Sequence, residues 1–419
     1  MNGSSTQIWR VDLQCPQCGA PATIGETDHL FSCSYCRVNV YLTVKEYPRY
    51  YIPGKNVSPE KIIYVPYWRY KGMFFSWAAN EIYRKIIDTN HLALNLDIFP
   101  RSLGMRPQTQ KLKIVTPDTK GNFLKPHLTV ESAAASIEAQ QSRQHLPENA
   151  EPVLRRSFVG ETTSLIYAPC YYKKKTFYDA ILDKPVGSAA PARIQDDLIK
   201  DRPENWAPGF LPTLCPDCGW DLTLDNKSLI LLCRNCHTAW QESSGVFQKH
   251  DFSVLSGPDK AQIYLPFWRI KAESEEVALK TYADLISLAN WPRAITREWQ
   301  DLGFFFWIPA FKIRPMIYLR LSKEMSLFQP SQGFGKTIPD EDIYPVTLPV
   351  NEAAESLAIC LVNMAVSKKK MVDTLPASTI EMKEFSLVYV PFSASGSDFV
   401  YAEKGMSINR NTLKYAREL

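Results

Sequence analysis

Eight of the ten cysteines in this chain occur in four Cys-x-x-Cys pairs, a pattern that brings two thiolates to one side of a tight turn. The pairs form two sets with one spacing, C-x2-C-x14-C-x2-C, and the second set lies 200 residues after the first. Because four thiolates at about 2.3 Å satisfy a tetrahedral zinc ion, each set predicts one zinc site. The predicted ligands are Cys15, Cys18, Cys33 and Cys36 in the first set and Cys215, Cys218, Cys233 and Cys236 in the second.

The zinc predicted at both sets is structural, because four thiolates leave no position open for water or substrate. Such an ion stabilises a segment too small to bury a core of its own. A redox dithiol comes as a single pair, whereas these pairs are doubled. The segment from Cys233 to His237 matches the CxxCH haem-attachment pattern, but Arg37 holds the equivalent place in the first set. An iron site of the rubredoxin kind remains the alternative, although its knuckles usually lie farther apart.

The same order of segments follows each cysteine set, which predicts a tandem duplication. YVPYWRYK begins at Tyr64 and YLPFWRIK at Tyr264, again 200 residues later. Three further blocks keep their order while the offset grows: FPRSLGMRP with IPAFKIRP at 208 residues, LTVESAAASI with LPVNEAAESL at 220, and LIYAP with LVYVP at 222. The predicted domains are zinc ribbon 1 (1–45), β-rich copy 1 (46–185), a Pro-rich linker (186–213), zinc ribbon 2 (214–245) and β-rich copy 2 (246–419).

The predicted fold class is α+β and strand-dominated, with a β-rich domain and one helix after each ribbon. Runs of β-branched and aromatic residues, such as KIIYVPYW, SLIYAPCYY, FFFWIPAF and MIYLRL, are typical of strands. In the second copy we expect the helix to begin at the N-cap Asn351, because apolar residues then recur at helical spacing from Ala353 to Met364.

The balance of charge argues against ribbons that bind nucleic acid. The chain carries 48 basic and 44 acidic residues, a net charge of +4. Basic and acidic residues also balance within each ribbon, whereas phosphate binding needs clustered lysine and arginine. Nucleic acid therefore stays the alternative partner, bound as a single strand on aromatic side chains.

The sequence shows no pattern of catalytic residues. It lacks a Walker-type glycine loop, a GxGxxG motif and a nucleophile elbow, and the spacing of its six histidines suggests no nucleophile, base or further metal site. We therefore predict no enzymatic activity. The repeated pairs Trp68-Arg69 and Trp268-Arg269 are interpreted as core aromatics whose arginine meets a buried acid. The alternative is that they anchor an anionic ligand or a protein interface.

The first residues show no secretory signal, and the longest apolar run, Gly303 to Phe311, is shorter than the roughly 20 residues of a membrane-spanning helix. These observations predict a cytoplasmic protein without a transmembrane segment. Peripheral association with a membrane stays open, as does the oligomeric state.

A CPxCG…CxxC ribbon followed by a Tyr-x-Pro-x-Trp-Arg strand resembles a group of bacterial double zinc-ribbon proteins. They often carry the label primosomal helicase-like because of the ribbon alone, and some resemble a zinc-ribbon partner of phage-shock-type membrane-stress proteins. This resemblance implies a non-enzymatic adaptor or scaffold that recruits protein partners to a membrane-associated complex. The chain lacks the transmembrane helices of some relatives and the ATP-binding motifs of a helicase. Two zinc-stabilised units in one chain also predict a bivalent platform.

Overall fold

The computed structural model describes residues 10–78, 81–104, 111–145, 152–187, 192–199, 206–223, 225–257, 261–274, 279–330, 333–376, 378–401 and 405–417. The chain folds as an α+β protein in which strands dominate, which confirms the predicted class. Each half contains one large sheet and one three-stranded ribbon sheet.

The first half has thirteen strands and two α-helices in the described residues. The strands are β1 (Arg10–Gln14), β2 (Pro21–Gly25), β3 (Leu30–Ser32), β4 (Asn39–Thr43), β5 (Arg49–Tyr51), β6 (Ile62–Ala78), β7 (Glu81–Leu92), β8 (Leu112–Ile114), β9 (Asn122–Phe123), β10 (Arg155–Lys173), β11 (Thr176–Asp179), β12 (Pro185–Gly187) and β13 (Gly209–Pro212). The helices are α1 (Val130–His145) and α2 (Ala192–Gln195). A ten-stranded sheet is built around β6 and β10, and β13, β4 and β3 form the ribbon sheet.

The second half has eleven strands and six α-helices in the described residues. The strands are β14 (Ile230–Cys233), β15 (Thr238–Ser243), β16 (Val246–His250), β17 (Phe252–Leu255), β18 (Ile263–Glu273), β19 (Phe306–Pro309), β20 (Phe334–Gly335), β21 (Asp342–Ile343), β22 (Glu381–Ser395), β23 (Asp398–Tyr401) and β24 (Met406–Asn409). The helices are α3 (Tyr282–Ala289), α4 (Glu298–Asp301), α5 (Pro315–Phe328), α6 (Val350–Glu355), α7 (Leu357–Met364) and α8 (Arg410–Ala416). Strands β14, β15 and β16 form the ribbon sheet, and an eight-stranded sheet is built around β18 and β22.

The two large sheets repeat one pairing pattern. Strands β6 and β10 pair antiparallel with Trp68 opposite Leu165, and β18 and β22 pair antiparallel with Trp268 opposite Leu387. A short strand joins each pair in parallel, β5 along β10 and β17 along β22. The indole Nε1 of each tryptophan donates to a main-chain carbonyl 2.8 Å away, that of Leu128 or Leu348. The offsets of 200, 222 and 220 residues found in the sequence therefore recur in these contacts.

The repeated proline of each central strand lies where the partner strand changes. Before Pro66, β6 pairs with β9, and after it β6 pairs with β7. Pro266 likewise separates the pairing of β18 with β21 from its pairing with β19. A proline cannot donate a main-chain hydrogen bond, so it is tolerated at such a break. The carbonyls of Pro66 and Pro266 accept from Ala93 and Ala310, each at 3.0 Å.

These last contacts differ from the sequence alignment of the middle block. They place Ala310 opposite Ala93, an offset of 217 residues rather than the predicted 208. After this point the halves diverge, since α5 follows in the second half, whereas residues 94–104 contain no helix. The arginine and proline that suggested 208 are Arg106 and Pro107 in the first half, and both lie outside the described residues.

The halves share a hydrophobic core. Met73, Phe75 and Trp77 of β6 belong to the same buried cluster as the core of the second half. Polar contacts cross the boundary as well: Lys312 Nζ donates to Thr162 Oγ1 at 2.9 Å, and Ser157 Oγ donates to the carbonyl of Glu355 at 3.2 Å. The two halves therefore pack directly against each other.

Three helix predictions were wrong in the second half. Besides the expected helix, which is split into α6 and α7 at Ser356, it contains α3, α4, α5 and α8. The run MIYLRL is part of α5 and not a strand, because Pro315 occupies the first helical turn and the helix buries Tyr318, Leu321 and Met325 on one face. The N-cap of α6 is Pro349 and not Asn351.

Candidate metal centres

Turns between antiparallel strands assemble each cysteine set. In the first set the turns join β1 to β2 and β3 to β4. In the second set one turn joins Leu214 to Asp221, which form an isolated antiparallel bridge, and the other joins β14 to β15. Strand β13, inside the segment predicted as a linker, pairs with β4 and leads into the second set.

The sulfur atoms of each set lie within 4.8 Å of one another. The short Sγ–Sγ distances are 3.7 Å for Cys15–Cys36 and for Cys18–Cys33, 3.6 Å for Cys215–Cys236 and 3.5 Å for Cys218–Cys233. A tetrahedron with Zn–S bonds of about 2.3 Å has sulfur atoms about 3.8 Å apart. Both sets therefore have the shape that a zinc ion requires, and the structure brings together all eight cysteines predicted from the sequence.

All four turns have the same backbone conformation. The residue after the second cysteine of each pair has a positive φ: Gly19 (72°), Arg37 (60°), Gly219 (73°) and His237 (53°). This left-handed residue closes the turn, since its N–H donates to the first cysteine's carbonyl at 2.9 Å for Gly19 and Arg37 and 2.8 Å for Gly219. The glycines fit this role because they lack a Cβ, which explains the CPxCG pattern of the first turn of each set.

The surroundings of the sulfur atoms shift their pKa values in opposite directions. The backbone N–H of Cys36 lowers the pKa of the Cys33 thiol to about 6, and the side-chain amide of Asn235 lowers that of Cys218 to about 6. Burial raises the pKa of Cys233. Four sulfur atoms this close repel one another as thiolates and need a cation between them to ionise together.

Two polar side chains contact the sulfur atoms of the second set, and the equivalent residues of the first set cannot make these contacts. The Nδ2 of Asn235 lies 3.5 Å from Cys218 Sγ, and Thr238 Oγ1 lies 3.1 Å from Cys236 Sγ. Tyr35 and Val38 hold the equivalent positions in the first set and offer neither group. Asn235 and Thr238 were not predicted as site residues from the sequence, although they differ from Tyr35 and Val38 when the two ribbons are aligned position by position.

We expect the second set to hold zinc more tightly than the first, because loss of outer hydrogen-bond partners typically lowers metal affinity by about 10- to 100-fold. An Asn235→Ala/Thr238→Val variant should release the second zinc ion about tenfold faster to a chromogenic chelator. Tyr35→Ala, at the equivalent exposed position of the first set, should leave both release rates unchanged. Equal rates of zinc release from the double variant and the unchanged chain would contradict the role assigned to Asn235 and Thr238.

The two ribbons pack directly against each other. The N–H groups of His29 and Leu30 both donate to the carbonyl of Asn226, at 2.7 and 2.9 Å. Leu30 and Tyr41 of the first ribbon share a buried apolar cluster with the zinc-site residues Cys215 and Cys233 of the second. The metal centres are therefore coupled through a common core.

The tryptophans of both Trp-Arg pairs are buried, which confirms their interpretation as core aromatic residues. Arg69 is buried too and forms ion pairs with Glu26 and, at 3.2 Å, with Asp88. Arg269 differs: its guanidinium carbon lies 3.3 Å from the centre of the Phe305 ring. The first pair therefore fastens the Glu26 loop of ribbon 1 to the large sheet, whereas the second makes a cation–π contact.

The imidazole rings of the described histidines contact backbone groups, aromatic rings or, in His127, one carboxylate. His127 Nε2 lies 2.8 Å from Asp197 Oδ1, and its Nδ1 accepts from the N–H of Asn95 at 3.1 Å. The ring nitrogen Nδ1 of His237 accepts from Ile338 N–H at 3.1 Å. These contacts hold loops in place.

A groove of about 1280 Å³ lies beside the first ribbon. The ribbon residues from Phe31 to Ser34 line it together with β2, the last strand of the ten-stranded sheet. Lys111, Lys113 and Lys120 line it as well, and all three are exposed. This groove was not predictable from the sequence, because its walls come from segments far apart in the chain.

No helix in the described part of the chain has the length and apolar character that crossing a membrane requires. No family model, curated protein or solved structure matches the chain.

Proposed function

We propose that this protein is a non-enzymatic adaptor whose two structural zinc ions shape a groove for an extended, acidic segment of a partner protein. The observation that carries this proposal is the groove beside the first ribbon. Its volume exceeds the roughly 300–1,000 Å³ of small-molecule sites, which favours a polypeptide segment as the occupant. The closed sets of four thiolates support a structural role for both ions.

The chemistry of the groove favours an acidic partner. Lys111 and Lys113 stand two residues apart at β8 and are both exposed, as strand alternation predicts. Two acids also line the groove, but one of them, Asp12, accepts a hydrogen bond from Thr23 at 2.8 Å. The edge strand β2 offers main-chain groups with which an added strand can pair.

Under this proposal the chain is one rigid recruiting surface, formed by two copies of a duplicated unit. The repeated strand pairings support the duplication. The resemblance to bacterial double zinc-ribbon proteins supports recruitment within a membrane-associated complex, reached by a cytoplasmic protein through peripheral contact.

The test measures fluorescence anisotropy of two probes with the zinc-loaded chain: an extended peptide rich in glutamate and a single-stranded oligonucleotide of equal charge. We expect the peptide to bind and a Lys111→Glu/Lys113→Glu variant to weaken it by more than about tenfold, because like charges would then face each other. Lys174→Glu/Lys175→Glu, on the exposed turn between β10 and β11, is the matched control and should bind normally.

The same variants then serve in a pull-down of tagged protein from native cells, with and without nuclease. Partners that survive nuclease and are lost only from the Lys111/Lys113 variant support the adaptor. If the oligonucleotide binds more tightly than the peptide, and the partners disappear with nuclease, the nucleic-acid alternative replaces this proposal.

A further inference from the structure

A separate pocket of about 180 Å³ lies in the second half, far in sequence from both cysteine sets. Its walls are Trp291, Arg293, Glu324, Leu327, Phe328, Gly405 and Met406. Helix α5 supplies Glu324, Leu327 and Phe328, the loop after α3 supplies Trp291 and Arg293, and β24 begins at Met406. The described residues of the first half contain no helix equivalent to α5, so this pocket is an addition to the repeated framework.

The pocket combines one acid and one base on different elements. Glu324 is half-buried and forms an ion pair with Arg320 of the same helix, whose Nη1 lies 3.5 Å from the buried Oε2. Burial still raises the pKa of this carboxyl, because the neighbouring Arg320 offsets the loss of hydration only in part. Arg293 is the second charged residue of the pocket wall. It is exposed and lies beside the Tyr282 hydroxyl.

The remaining walls are apolar. Leu327 and Met406 are buried, and Phe328 and Trp291 offer aromatic surface. Since liquid water occupies about 30 Å³ per molecule, the pocket replaces roughly six waters, which is too few for a peptide. A ligand that suits the acid, the arginine and the apolar walls is small, carries one positive and one negative group, and is otherwise apolar.

We propose that this pocket binds one free α-amino acid with an apolar side chain. Its ammonium group meets Glu324, in the last turns of α5, where the helix dipole also favours a cation. Its carboxylate meets the planar guanidinium of Arg293, a donor set that matches a carboxylate. Its side chain contacts Leu327, Phe328 and Met406. This inference is independent of the proposed adaptor function, because the pocket and the groove share no lining residue.

The experiment is isothermal titration of the full zinc-loaded chain with L-leucine and L-methionine. N-acetyl-leucine lacks the ammonium group and leucinamide lacks the carboxylate, so each should bind at least about tenfold more weakly than leucine. Equal binding of leucinamide and leucine would overturn the role of Arg293, and with it the amino-acid assignment. Absence of heat for both amino acids would overturn the site.

Two variants separate binding from folding. Glu324→Gln and Arg293→Gln should each lower leucine affinity at least about tenfold. Glu341→Gln, an exposed acid outside the pocket, is the matched control and should bind normally. Thermal unfolding without ligand should give nearly the same midpoint for Glu324→Gln as for the unchanged chain, since the ion pair that this change removes is partly exposed and contributes at most about 1 kcal/mol. Unchanged leucine binding in Glu324→Gln would overturn the proposal.

Discussion

A Cys15→Ser/Cys18→Ser variant is expected to lose the first zinc ion and to release the second about tenfold faster than the unchanged chain. Structural zinc contributes about 10–16 kcal/mol of apparent binding free energy in small finger peptides, so the first ribbon should unfold without it. The second ion is affected because the ribbons share a core. A loss of only about 1.4 kcal/mol of supporting contacts changes an equilibrium constant tenfold.

The physical connection between the ions is short. Strand β4 follows directly on the first cysteine set and pairs with β13, with Val40 opposite Pro212. Cys215 lies three residues after Pro212. An unfolded first ribbon would therefore no longer hold β13, the strand that leads into the second cysteine set. Tyr41 also lies on β4, and its ring makes an edge-to-face contact with Phe247 of the second ribbon, with the ring centres 5.6 Å apart.

The measurement is zinc content by elemental analysis, followed by chelator-driven release of the remaining ion. Cys360→Ala is the control, because Cys360 is buried in α7 outside both sets and should leave two ions per chain. Two ions retained in the double variant would show that the ligands are wrong. One ion released at the unchanged rate would show that the ribbons fold independently.

The sequence was sufficient for the local parts of this site. The four turns depend on cysteine spacing and on a residue that accepts positive φ, and both are local properties. Strands such as β6 were predictable because β-branched and aromatic residues fill them. Helix α5 was not, since its run MIYLRL also suits a strand. Its helical state depends on Pro315 at the start and on burial of one face against the core.

Contacts between segments that are distant in the chain were also not predictable from the sequence. Arg69 was expected to meet an acid, but nothing local identified Glu26, which lies in the loop between β2 and β3. The sequence offers one signal: the residue 200 positions after Glu26 is Asn226, and Arg269 accordingly forms no ion pair among the described residues. Within that part of the chain, the acid and the arginine's ion pair occur together in the first half and are both missing from the second.

Glu26→Gln is expected to destabilise the protein by about 3–5 kcal/mol, because it removes a buried charged partner of the buried Arg69 guanidinium. The side chains of Arg69 and Glu26 are 1% and 4% exposed, so water does not compensate for the lost charge. Ser164 Oγ, which donates to the same carboxylate at 3.3 Å, also loses its charged acceptor. Urea unfolding of the zinc-loaded chain measures the effect.

Glu381→Gln is the matched control for this prediction. It removes the partner of Lys383 in an ion pair whose side chains are 68% and 42% exposed. Exposed pairs contribute at most about 1 kcal/mol, so this variant should unfold close to the unchanged chain. Similar losses for Glu26→Gln and Glu381→Gln would mean that burial does not govern the Arg69 pair.

A double change separates the ion pair from the packing of its members. Replacing a buried pair by apolar groups is often neutral, whereas removal of one member leaves a charge without compensation. Glu26→Gln/Arg69→Met should therefore be more stable than Glu26→Gln alone, although Asp88 then loses its partner as well. Arg269→Met provides the comparison in the second half, where the arginine packs on Phe305 without an ion pair. Arg269→Met should lower the free energy of unfolding by less than Arg69→Met does. It removes only a cation–π contact of about 0.5–2 kcal/mol and leaves no acid buried.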